Sequence, residues 1–288
     1  MRRTLLLQKI LSPCLGGLMA FVLLPAGQAM PIDHSTITEV VNDVKVINPD
    51  SKNASLAKTQ AVFRTPDIMK TGADSRSEMV AEDQTITRVG ANTLFSFEPK
   101  ERIINLEEGS VLFQSPTGKG GGTVRTAAAT ASVLGTTIIV VATKDGGFKL
   151  LVLEGRGQLR MPNGKRTILH GGQLIVVLPG AQEPGPVLNF LLQDEVETSL
   201  LVGGFNEPLP SWDKILAQIL KQEQDIAGGE LHVPTVDPNT RINQIQGLHP
   251  NPTPGFTTGL NGATTPAPGA KSRRAKAGPT GKPGSKAV

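Results

Sequence analysis

Between Glu39 and Leu178 the chain repeats one device, a short run of apolar or alternating residues closed by a turn. The runs are VVNDVKVI, QTITRV, LFSF, SVLF, TIIVVAT, FKLLVL, GQLRM, RTIL and QLIVVL. Asp145-Gly146 joins two of them and Asn163-Gly164 joins GQLRM to RTIL. Both dipeptides tolerate positive φ and favour hairpins. Short runs at this spacing predict a mainly β fold: an antiparallel β-sandwich or roll, or a short β-solenoid. The 32 glycines and 22 prolines agree with many turns and few long helices.

One stretch tests that reading. VRTAAATASVLGTTIIVV (Val124 to Val141) opens on alanine, the best helix former, and closes on β-branched residues. Thr126, Thr130, Ser132, Thr136 and Thr137 are poor helix-interior residues, and Gly135 is worse. Read as a strand, Val124, Thr126, Ala128 and Thr130 share one face, with small side chains where another backbone passes closely. Gly135 then suits a bulge or bend, and IIVV a strand buried on both faces.

The two ends of the chain are basic and the body is not. Residues 1–29 carry Arg2, Arg3 and Lys9 without an acid, and residues 238–288 carry seven bases without an acid. With those ten removed from the 29 Lys+Arg, residues 30–237 hold 19 bases against all 25 acids, a net of −6. Nothing here suggests a folded nucleic-acid-binding body. Residues 1–29 read as a cleaved signal peptide: a positive start, an apolar centre LGGLMAFVLLPA, and small residues in GQA before Met30. The apolar centre is shorter than the ~20 residues of a membrane span. Cys14 lies within residues 1–29, so the mature chain is expected to lack disulfides, thiolate zinc sites and a thiol nucleophile.

The body is expected to divide into a β domain at 30–180, a helical appendage at 186–227, and a basic, low-complexity disordered tail at 228–288. In the appendage, Asn189 suits an N-cap for a helix carrying Leu192, Val196, Leu200 and Leu201, ended by Gly203. Ser211 suits the cap of a second helix whose stripe is Trp212, Ile215, Leu216, Ile219 and Leu220. That stripe either covers an open sheet face or edge, or binds a partner. From Gly247 onward too few apolar residues remain to offset ordering entropy. The KSRRAK run there either solvates the tail or touches anionic polymers.

Motifs of chemistry mostly fail on inspection. TGKGGGT has Gly120 where a P-loop needs Ser or Thr, and Phe113 where it needs glycine. It reads as a hairpin loop. Among His34, His170, His232 and His249 no two share metal-ligand spacing, and Asp33-His34-Ser35 are adjacent residues without relay geometry. Glu82-Asp83 and Glu107-Glu108 sit at expected turns, the latter before Gly109. Glu154 before Gly155 suits a strand end facing a groove, and a hydrolase would use it or the other carboxylates, but solvated turn charges are their ordinary reading. No catalytic residue, metal site or cofactor is expected.

The ordered series TGADSR (Thr71 to Arg76), RVGANTLFSF, LEEGSVLF, VRTAAATASVLGTT, LEGRGQL and GGQ (Gly171 to Gln173) resembles the FecR-type domain. The resemblance runs from about Glu39 to Leu178 and implies an extracytoplasmic, β-rich domain. In regulators of that family a cytoplasmic segment that controls a sigma factor, and a membrane helix, precede this domain. Here a signal-like segment precedes it, Leu134 stands where an arginine often precedes the Gly-Thr pair, and no second transporter-contacting module is evident. The expected protein is a secreted or periplasmic, non-enzymatic binding or scaffolding module whose partner is another envelope protein or an envelope polymer. A periplasmic sensor component of an iron-uptake-type system and a carboxylate-dependent hydrolase stay open as alternatives.

Overall fold

The computed structural model describes residues 32–231. The expected signal peptide with Cys14, His232 and His249, and the basic tail beyond residue 231 lie outside the described residues. The first strands are β1 (Ser35–Val41), β2 (Val44–Asn48), β3 (Asn53–Leu56), β4 (Val62–Phe63), β5 (Ile68–Thr71) and β6 (Arg76–Ala81). Then come β7 (Ile86–Val89), β8 (Leu94–Glu98), β9 (Ile103–Gln114), β10 (Gly122–Arg125), β11 (Thr130–Val133) and β12 (Thr137–Ala142). The last are β13 (Phe148–Glu154), β14 (Arg156–Arg160), β15 (Arg166–His170), β16 (Gln173–Val177) and β17 (Leu188–Asn189). Helices α1 (Leu192–Thr198), α2 (Leu200–Gly203) and α3 (Trp212–Ala227) close the described chain.

The strands form two layers joined by β9. In the first layer β6 pairs with β1 and β7, β9 with β7 and β12, and β13 with β12 and β16. In the second, β5 pairs with β2 and β8, β9 with β8 and β10, and β14 with β11 and β15. Every pairing is antiparallel except β9 with β10. The expected mainly β architecture is present, as one mixed sheet folded back on itself.

β9 makes the fold possible. Ile103–Glu108 pairs in the second layer and Gly109–Gln114 in the first. Gly109 sits at the changeover with φ +97°, and a Cβ there would lie 2.4 Å from the Cα of Thr93. The turn expected at Glu107-Glu108-Gly109 is therefore a bend inside a twelve-residue strand. Only glycine reaches that φ freely, so the strand folds without ending. The bend brings its ends together: a Cβ on Gly122, beside the Thr123 that pairs with Ile103, would meet the Phe113 ring at 2.3 Å. TGKGGGT accordingly leads into a parallel pairing, not a hairpin.

The 124–141 stretch is likewise more broken than a single strand. β10 and β11 form a hairpin closed at Thr126, whose Oγ1 accepts from the backbone N–H groups of Ala128 and Ala129. A hydroxyl that satisfies nearby backbone donors competes with the ladder, and here it turns the chain. Gly135, at φ +70°, bends the chain between β11 and β12. In β12, Ile138 and Val140 face the space between the layers, and Ile139 faces the opposite side.

Two apolar cores result. The larger lies between the layers and includes Ile37, Met69, Phe95, Ile104, Phe113, Val140, Leu150 and Leu159. The other lies on the outer face of the first layer, where Leu112, Ile139, Leu151 and Leu174 meet Phe190, Leu192, Leu201, Ile215 and Ile219. The first layer is thus buried on both faces. The helices form a third layer that hides what would otherwise be a large exposed apolar face.

Candidate functional site

How the helical layer is held defines the candidate site. Arg88 of β7 is fully buried, and its Nε donates to Glu78 of β6 at 2.7 Å. Its other nitrogens donate to the carbonyls of Val202 at 2.7 Å, Leu201 at 3.3 Å and Glu207 at 2.5 Å. The guanidinium also stacks 4.5 Å over the Phe205 ring. Five fixed donors on a planar cation suit several acceptors at once, and the positive charge sits at the C-terminal carbonyls of α2.

A polar chain seats the start of α3. Ser211 occupies the expected N-cap position but makes no side-chain cap bond. Its Oγ lies 2.7 Å from Thr137 Oγ1, which donates to Glu154 Oε1 at 2.9 Å. Burial pushes the Glu154 carboxyl above the ordinary carboxylate range, opposed by the Thr137 bond and the charge of Lys214. Asn189, expected as a cap, pairs instead in β17. The buried amide of Gln222 takes its place from across the layer: Oε1 accepts from Leu192 N–H at 2.9 Å, and Nε2 donates to the Phe190 carbonyl.

Between α1–α2 and the uncovered part of the first layer lies a cleft of about 550 Å³. Ile139, Val141 and Leu151 line its sheet side, and Leu200 and Leu201 the helix side. Charge is present at its wall: Arg76, Asp145 and the buried Lys149 and Glu195. An apolar pocket with a few placed polar groups is the usual form of a binding site. The sequence pointed to none of these residues. Lys149 within the apolar run FKLLVL was the signal, since a lysine in a strand buried on both faces needs a reason to be there.

The residues singled out in the sequence fall in several places. Ile215 and Ile219 are buried in the second core and Trp212 is packed against it. Leu216 and Leu220 are 39% and 58% exposed. The carboxylates do not converge. Glu82 is exposed beside His34, and Asp83 is buried in an ion pair with Arg102 at 2.6 Å. Glu107 is exposed on β9, Glu108 pairs with Lys144, and Glu154 lies under α3. Asp83 is thus no solvated turn charge. Ser211 and Lys214 have the Ser-x-x-Lys spacing of some acyl-transfer enzymes. The Lys214 ammonium, however, bonds Thr117 Oγ1 at 3.1 Å, and Ser211 is buried. His170 is exposed at the end of β15, and no cluster of metal-ligating side chains occurs among the described residues.

The described residues form a double-layered β domain with a helical cap over one face and a cleft beside the cap. Within it, residues 67–156 match the family model of the FecR protein. The match is narrower than the motif series and runs from just before β5 to the start of β14, including the cleft's sheet side. Two crystal structures of a candidate anti-sigma factor from Parabacteroides distasonis are similar, at 21% identity and TM-score 0.41 over 47% of this chain. The chain spans 65% and 64% of those two chains. No curated protein matches it. No helix among the described residues is long and apolar enough to cross a membrane.

Proposed function

We propose that the chain is a non-enzymatic FecR-like binding module of the cell envelope, exported by residues 1–29 and working outside the cytoplasm. Its β domain at 30–180 supplies the scaffold, the 186–227 appendage the cap, and residues 228–288 a basic extension. The observation that carries the reading is the cleft beside α1–α2, whose apolar floor belongs to the FecR-matching strands. Leu216 and Leu220, the exposed part of the α3 stripe, offer a partner a second foothold. A sensor role is the second reading. It is favoured by the cleft wall being a four-residue helix whose end is tied by two arginines, Arg88 to the Leu201 and Val202 carbonyls and Arg76 to that of Gly204, while Leu200 stands exposed where a ligand would meet it.

Thermal shift of the purified chain against fractionated envelope extract tests this. One fraction should raise the melting temperature of the wild type but not of Leu200→Arg or Val141→Arg, and mass spectrometry should recover the ligand unchanged. Consumption of the ligand would make the protein an enzyme. Equal shifts in all three proteins would remove the cleft from the function.

A further inference from the structure

The outer face of the second layer, remote from the cleft, carries a line of arginines. Arg166 of β15 lies directly opposite Arg160 of β14. Arg160 lies opposite Thr130 of β11, and Thr130 opposite Arg125 of β10. One residue row thus crosses four strands as Arg, Arg, Thr, Arg, about 14 Å from end to end at ordinary strand spacing. Arg156 lies on the same face four residues along β14, opposite His170. All four arginines are exposed. Arg125 approaches Glu98 at 3.7 Å and Asn105 Oδ1 at 3.3 Å. Arg156, Arg160 and Arg166 belong to none of the ion pairs among the described residues.

That arrangement has a cost. Like charges directly opposite each other on a sheet are destabilising. Cationic residues on an edge strand such as β15 discourage pairing with another sheet, which accounts for Arg166 alone. Arg160 and Arg125 lie on interior strands, where edge protection has no use for them. They are also concentrated on a body of net charge −6, against the average sign of its surface. Between them stand Gln158, Thr130, Ser132 and Thr123, side chains that exchange hydrogen bonds with hydroxyl groups, and one exposed apolar side chain, Ile168, opposite Gln158. No aromatic ring stands among these residues to stack a base, and a single exposed isoleucine on a sheet face inserts little into lipid.

We infer that this face binds an acidic polysaccharide, the guanidinium row taking its carboxylates and the interleaved amide and hydroxyls its sugar hydroxyls. Guanidinium forks match carboxylates in two-point contacts, and a row of them suits repeated anionic groups on one chain. The inference is independent of the cleft.

The test uses the full mature chain, titrated with a fluorescently labelled polyuronate. Neutral dextran, a single-stranded polynucleotide and anionic phospholipid vesicles are the comparators. The expected result is polyuronate binding that weakens as salt rises and falls about tenfold in the Arg160→Gln, Arg166→Gln double variant. The Arg273→Gln, Arg274→Gln variant should bind as the wild type does, which separates the sheet from the basic tail. If the first variant fails to fold, Arg125→Gln with Arg156→Gln replaces it on the same face. No binding of polyuronate, equal binding by the sheet variant, loss only in the tail variant, or tighter binding to polynucleotide or vesicles would each overturn the inference.

Discussion

Single side chains decide how the helical layer is attached. Replacing Arg88 with alanine would leave the Glu78 carboxylate buried without its partner and remove donors from three carbonyls. The expected loss is about 3–5 kcal/mol of unfolding free energy by denaturant titration, with little rescue by lysine. A loss under about 1 kcal/mol would mean the contacts do not anchor the layer. Glu154 works in the opposite direction. Its carboxyl titrates above the ordinary range because burial disfavours the anion. The folded state therefore holds a proton that the unfolded state has released, and stability falls as pH rises from the ordinary carboxylate range toward the folded value. Glu154→Gln is expected to be more stable than wild type above that window, with the advantage fading below it. A pH-independent difference between the two melting curves would contradict this.

At the scale of elements, α3 has two unequal sides. Ile219→Ala removes a buried contact with the first layer and should cost about 2–5 kcal/mol, whereas Leu220→Ala should stay within about 0.5 kcal/mol. Comparable losses would mean that the exposed side is also packed. The spacing of apolar residues in WDKILAQIL made this helix legible, along with its start at Ser211. It could not say which stripe members turn inward, because that depends on where the first layer lies. The Asn189 reading failed for a related reason: a residue with cap chemistry was drawn into β17, and Gln222, thirty residues from Leu192, supplied the missing acceptor. Most strands of the second half could be read from alternation and turn dipeptides. β9 could not, because its central Glu-Glu-Gly looks like punctuation. Thr126 erred the other way, with a side-chain hydroxyl ending a strand that composition would continue. The cleft was invisible because its residues come from β6, β12, β13 and α1–α2, which pairing order alone brings together.

For the molecule as a whole, the first layer depends on its neighbours on both faces. Truncation after Leu178 would strip the helices and expose Leu112, Ile139, Leu151 and Leu174 together. Light scattering should then show aggregation at concentrations where the full chain is monodisperse, and a monodisperse truncated domain would refute the dependence. Most pairings that set the architecture, such as β1 with β6 and β7 with β9, join segments far apart in the chain. The strand order was for that reason beyond sequence reading, although the class was not. β9 carries the last consequence. Its two halves hydrogen-bond into different layers through one continuous backbone, so neither layer can admit solvent to its centre while the other stays closed. In deuterium, the amides around Ile104 and those around Leu112 should exchange at one common slow rate, the rate of opening the entire body. Two distinct rates would show that the chain at Gly109 is a hinge between independent halves.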